Sequence, residues 1–166
     1  MYDTYLYRGC KRLPNLDDLR QQIPELADSL IQQRLIEPSP GFLGFSLPIS
    51  NAQALLRVLG RASARGLYVP SAYRQPQVTL LMAHTLAEQA AVNIQAASFP
   101  EYDFAPVTFL EEDAMWWIFF TSSQKLGEEG HIPGGFYVYI DKLDGHVWDS
   151  KELDQVFAIL EDMQYQ

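Results

Sequence analysis

The sequence predicts an α+β fold: an antiparallel four-stranded meander packed against helices, with an additional, mostly helical N-terminal lobe. Three observations predict it. Met115–Thr121 and Phe136–Ile140 are runs of aromatic and β-branched residues, which suit a pleated, half-buried surface. Between Ile140 and Val147, Asp144-Gly145 supplies the positive-φ residue that a tight hairpin needs. Leu80, Ala83, Leu86, Ala90 and Ile94, and later Leu153, Val156, Phe157, Leu160 and Met163, recur at helical spacing and need a sheet to cover them.

In chain order, Tyr2–Tyr7 alternates weakly and predicts a short edge strand. Asn15 precedes Leu16, Leu19, Ile23, Leu26 and Leu30 at helical spacing and reads as an N-cap. Pro24 inside that pattern predicts a kink or two abutting helices, because proline removes a hydrogen bond and clashes with the preceding turn. Glu37-Pro38-Ser39-Pro40-Gly41 ends the helix, and Phe42–Leu47 follows as a strand weakened by Gly44.

Ser50 and Gln53 match a capping box. The helix they would open carries Ala52, Leu55, Leu56, Leu59 and Ala62 on one side and Arg57, Arg61 and Arg65 towards the other. Gly66 reads as its C-cap, and Leu67–Val69 as a short strand. The turn-rich Ser71–Pro76 divides a lobe of residues 1–76 from a domain of residues 77–166.

Val78–Ala97 predicts a long helix whose alanines allow close approach to a sheet, with His84 and Glu88 as a surface pair four residues apart. Val107–Leu110 reads as a strand and Glu111–Asp113 as its acidic turn. Met115–Ser122 is apolar on both faces, as expected of a central strand. Phe136, Val138 and Ile140 face one way in the next strand, while Tyr137, Tyr139 and Asp141 face a wetter side. Asp149 or Ser150 caps the last helix.

Composition narrows function further. At 166 residues, 48% hydrophobic and 20% charged, the chain has the make-up of an ordinary globular protein. No run approaches a membrane span, and Met1–Tyr5 lacks signal-peptide character, so a cytoplasmic location is expected. The single Cys10 has no partner for an internal disulfide or zinc site and is expected to be a buried, inert thiol. Charge is unevenly placed. Residues 1–100 carry +2 and residues 101–166 carry −11 of the net −9. An acidic C-terminal half disfavours nucleic acid, whose phosphates need Lys and Arg, and favours encounter with a basic partner. An acidic surface that only maintains solubility stays open beside that reading.

No nucleophile elbow, zincin, Walker or dinucleotide fingerprint is present. The loop Gly127–Gly135 is rich in glycine, but Glu128 and Glu129 would repel a phosphate. Asp141–Gly145 fails as a calcium loop because Leu143, Gly145 and His146 stand where ligands and the turn glycine belong. No metal or other cofactor is expected. His131 and His146, with Asp141, Asp144 and Glu129, form the one acid/base set that could meet. A cystatin-like or NTF2-like cone could hold them in a small-molecule pocket, as a binding protein or enzyme.

From about Thr79 to Gln164, Trp116–Phe120, Gly134-Gly135 and Val138–Gly145 resemble the small α+β immunity proteins of the YrhB-like group (immunity protein family thirty-five). There a Trp-x-Phe strand leads through a glycine loop to an Ile-Asp-Lys hairpin. The resemblance implies a cytoplasmic, non-enzymatic antidote to a bacterial toxin, with residues 1–78 outside the likeness. The expected partner is a cognate protein toxin with a basic, nuclease-like site, and neither nucleic acid nor membrane is expected. Glu111, Glu112, Asp113, Glu128, Glu129, Asp141 and Asp144 are the candidate acidic contacts, on loops at the ends of the meander. Tyr137 and Tyr139 are the candidate aromatic anchors.

Overall fold

A computed structural model describes residues 1–26 and 40–165, and side chains through residue 159. The chain divides into two compact units, residues 1–74 with 154–166, and residues 75–153.

The first unit is built on a three-stranded antiparallel sheet in the order β2-β1-β3: β1 Tyr2–Arg8, β2 Gly41–Phe42 and β3 Arg65–Pro70. β1 is therefore the central strand and not the expected edge. Its burial explains the position, since Asp3, Thr4 and Leu6 are all buried. Gly66 belongs to β3 and caps no helix. A Cβ there would lie 2.3 Å from the Tyr5 carbonyl, so glycine is required by the approach of β1.

Helix α1, Leu16–Gln22, begins at Asn15, whose side chain accepts the Asp17 and Asp18 amides as expected of an N-cap. It stops at Ile23, before Pro24; a second helix abutting it, the other expectation, would fall largely on residues outside the described ones. Leu30 and Glu37–Ser39 lie outside the described residues. Beyond β2, Leu47 forms only an isolated bridge to Tyr2.

Helix α2, Ile49–Arg61, starts directly after Pro48 with no side-chain cap. Ser50 already lies inside its first turn, so the expected capping box does not form. Ala52, Leu55, Val58 and Leu59 pack with Leu6, Leu19, Ile23 and Leu47 into one core, against which Cys10 is partly buried. Burial raises the Cys10 thiol pKa, in keeping with an inert role. Arg65 lies on β3, so the arginine ladder ends at Arg61, which pairs with Asp18 at 2.8 Å.

The second unit holds a four-stranded antiparallel meander in the order β4-β5-β6-β7: β4 Thr108–Glu112, β5 Trp116–Ser122, β6 Gly135–Asp141 and β7 Val147–Trp148. Helix α3, Leu80–Ser98, is capped by Thr79 and lays Ala83, Ala87 and Ala90 on one sheet face. That face presents Trp117, Phe119, Phe136, Val138, Ile140 and Val147. Burying side chains of this size contributes roughly 1.5–3 kcal/mol each. Leu80, expected on the buried stripe, is 38% exposed.

Gly145 has φ +78° and closes Ile140 onto Val147, as the hairpin reading requires. A short helix, α4 Gln124–Glu128, occupies part of the expected open loop. The last helix, α5 Ser150–Tyr165, spans the division between the units. Of its expected stripe, Leu153 and Val156 are half-buried and Phe157 is 40% exposed, while Leu160 and Met163 lie beyond the described side chains.

Candidate acidic and aromatic interface

Strand register decides which candidate residues meet. β4 continues through Glu111 and Glu112, so these two are not in the turn, and alternation sends them to opposite faces. Glu112 pairs with Trp117 on the α3 side, where its carboxylate meets Lys142 Nζ at 2.6 Å. Lys142 is buried, and its ammonium sits 4.8 Å above the Trp117 ring, a cation–π contact. The Trp117 Nε1–H donates to the Val78 carbonyl at 2.9 Å. Glu112 is thus committed to an internal contact.

Glu111 lies on the other face. A bulge between Phe109 and Glu111 aligns Glu111 with Ile118, Ile118 with Tyr139, and Tyr139 with Trp148, one row across all four strands. Beside this row the rings form a continuous series. Phe120 lies 5.0 Å from Tyr137, Tyr137 lies 6.4 Å from Tyr139, and Trp116 lies 5.8 Å from Tyr139 and 5.3 Å from Trp148. His146 extends it, 6.1 Å from Trp148. Tyr137 is 44% exposed, and Phe120, Tyr139 and Trp148 are half-buried.

Burial, then Tyr137, Glu111 and Asp113, raises the Tyr139 phenol pKa and keeps it a neutral hydroxyl. Register sets Glu111 at the β4 end of the row, and Asp113 follows it at the β4–β5 hairpin. Asp113 also caps its own turn through the Ala114 amide.

The remaining acids do not join this group. Asp141 is buried; its carboxylate accepts the Trp148 Nε1–H at 3.0 Å and the Leu143 amide at 2.7 Å. It positions Trp148 and the β6–β7 turn, which rules it out as an exposed contact. Asp144 is exposed and accepts the His146 amide at 2.8 Å. Glu128 and Glu129 sit at the opposite end of the sheet, separated from Asp113 by the length of β5, about 20 Å. There Glu128 accepts from Gln124 at 2.7 Å, and Glu129 accepts the Tyr102 hydroxyl at 2.7 Å. The seven acids therefore divide into two ends and two faces.

The two histidines are also accounted for. His131 is exposed beside the cis Ile132–Pro133 bond. His146 Nε2–H donates to both Glu152 oxygens, at 2.9 and 3.0 Å. Glu152 in turn accepts the Asp149 amide, while Asp149 accepts the Lys151 and Glu152 amides. This is a capping box at the start of α5, with Asp149 as the cap. The Glu152 hydrogen bond raises the His146 pKa, and the Asp149 amide lowers that of Glu152. Among the described residues no group of three or more His, Cys, Asp or Glu could hold a metal ion, and no helix is long and apolar enough to cross a membrane.

Sequence reasoning missed Phe120 and Trp148 as parts of this surface, because each reads as core when strand pairing is unknown; Trp116, read as core, is fully buried beneath them. Extending β4 by two residues would have found the Glu111–Tyr139 row. Comparisons with family models, curated proteins and solved structures gave no match.

Proposed function

We propose that this chain is a binding protein whose acidic second unit engages a basic protein. In its finer form, following the sequence resemblance, it is an immunity protein that occludes a cognate toxin without turnover. The observation that carries the reading is the register row Glu111–Ile118–Tyr139–Trp148, in which Ile118 is buried, Tyr139 and Trp148 are half-buried beside the exposed Tyr137, and Glu111 is exposed at the row's edge. Aromatic anchors with acids at the rim suit a basic partner: the rings contribute most of the affinity, and the acids contribute encounter rate and selectivity.

Charge supports the same reading. Residues 75–153 hold three lysines against twelve acids, the whole net charge of −9, while the other unit is neutral. All three lysines lie beside acids or aromatic rings in sequence or space: Lys142 meets Glu112, Lys125 sits 5.1 Å over the Tyr102 ring, and Lys151 follows Asp149.

The test is co-expression with the basic protein encoded beside this chain in its native host. The expected result is that the neighbour arrests growth alone, that this chain restores growth, and that Tyr137→Ala with Tyr139→Ala abolishes rescue while the protein stays folded. A harmless neighbour, or rescue that survives the double substitution, counts against the proposal.

A further inference from the structure

We propose that β4 receives an extended segment of the basic partner as a fifth strand, whose α3-side residues enter the groove beside that helix. The idea rests on the reading of the partner as basic and adds how the partner is gripped.

Among the described residues β4 is an edge of the sheet, and all five of its residues are exposed. The Asp113 amide donates to the Trp116 carbonyl at 2.9 Å, closing the β4–β5 hairpin. Alternation along an antiparallel ladder then directs the Glu112 N–H and C=O away from β5, towards the open side. Phe109 and Leu110 are 43% and 51% exposed on this strand. An edge of this kind is a template for main-chain pairing.

Where the chain enters β4, before Thr108, lies a groove of about 260 Å³, formed by Glu88, Ala91, Val92 and Gln95 of α3 and by residues 104–107 with Thr121. Val92 is 65% exposed at its rim. Because α3 covers one sheet face, side chains of an added strand pointing to that face would enter this groove, while the alternate ones would run past Glu111. The groove is floored by small and apolar residues and carries one acid, Glu88. It suits an aliphatic side chain or the stem of a lysine with its ammonium at Glu88.

Charge selects the occupant. Glu88 and Glu111 are exposed on the two sides of the strand, and no lysine of this unit is on β4 or lines the groove. A second copy would bring one acidic unit against another, which is repulsive. The bulge at Phe109/Glu111 further twists the edge away from flat self-pairing. A basic, extended segment meets no such charge repulsion.

The experiment uses the full chain and a dye-labelled, end-blocked ten-residue peptide alternating lysine and valine. Three comparisons accompany it: the same peptide N-methylated through its centre, a glutamate–valine peptide, and the Glu88→Lys protein. Fluorescence anisotropy reports binding, and amide hydrogen exchange reports where. The expected result is that the lysine–valine peptide binds and slows exchange at Thr108–Glu112. N-methylation weakens binding by about tenfold or more, as loss of main-chain pairing requires, and Glu88→Lys weakens it several-fold.

Absent binding, equal binding of the N-methylated peptide, or slowed exchange confined to Tyr137 and Tyr139, overturns the fifth-strand inference and leaves the proposed function standing. Slowed exchange at β4 without peptide, with a dimeric mass, assigns the edge to a second copy and also overturns it. Equal binding of the glutamate–valine peptide removes the basic partner itself.

Discussion

In the first unit the buried charge is an acid. Asp3 is fully buried on the central strand, its Oδ1 accepting the Thr4, Gly44 and Phe45 amides at 2.8–3.1 Å. Its Oδ2 lies 2.8 Å from Arg74 Nε, as an ion contact and not an aligned hydrogen bond. In the second unit a base and an acid are buried side by side: Lys142, whose partner Glu112 is half in water, and Asp141, whose carboxylate accepts the Trp148 Nε1–H and the Leu143 amide. Asp3 joins the backbone of its own strand to that of Gly44 and Phe45 and to the Arg74 side chain, so its charge is used up in holding them. Lys142 engages Glu112 and Asp141 is itself buried, which leaves the other ten of the twelve acids outside the core. The first arrangement is a staple; the second leaves a unit with charge to spend on a partner.

This contrast predicts unequal responses to mutation. Arg74→Ala strands a buried carboxylate and is expected to cost about 3 kcal/mol, because breaking a buried pair leaves the remaining charge uncompensated. Arg74 is one-third exposed, so solvent screening places the loss at the low end of that class. Lys142→Met keeps an aliphatic stem over Trp117 and lets Glu112 return to water. It is expected to stay within about 1 kcal/mol of the wild type. Urea unfolding measures both, and equal losses would erase the distinction between the units.

A second pair of positions sharpens the comparison on backbone terms. Gly66 in β3 and Gly135 in β6 each sit against a neighbouring strand, a Cβ meeting the Tyr5 carbonyl at 2.3 Å or the Thr121 carbonyl at 2.0 Å. Alanine at either position must push strands apart, with an expected loss of about 1–3 kcal/mol. If Gly135→Ala also weakens partner binding while Gly66→Ala does not, the binding surface belongs to the second sheet.

The smallest effect concerns pH. The folded pKa of His146 is raised above its ordinary 6.5, so its pairing contributes stability below that value and loses it as pH rises through the folded pKa. Glu152 is lowered below its ordinary 4.5, so its contribution is present above that value and is lost as pH falls through the folded pKa. The capping box of α5 is therefore firmest between roughly pH 4.5 and 6.5. His146→Gln should remove the alkaline-side loss, read as helix content against pH, and an unchanged profile would exclude the pair.

How much of this was legible in the sequence follows the range of the interactions. The β5–β6–β7 meander was readable because its signals are local: alternation in Phe136–Asp141 and the Asp144-Gly145 turn. The Asn15 and Val78–Ala97 helix signals are local too. The placement of β1 at the centre of its sheet was not readable, because it depends on pairing with Arg65–Pro70 more than fifty residues away. The Ser50–Gln53 pattern misled, since Pro48 starts the helix earlier. The acids Glu111, Glu112 and Asp113 are neighbours in sequence, yet pleating separates the first two and a bulge sets which faces Tyr139. Charge can be counted from a sequence, but its grouping needs register.

The central claim is that the hairpin end of the aromatic face, and not acidity in general, binds the partner. The most direct measurement is affinity for the basic neighbour over a salt series, comparing Glu111→Lys/Asp113→Lys with Glu128→Lys/Glu129→Lys. The two variants change net charge equally at opposite ends of one sheet. The account predicts a large loss and a shallower salt dependence for the first pair and a small, salt-screened change for the second. Equal losses from both pairs would contradict it.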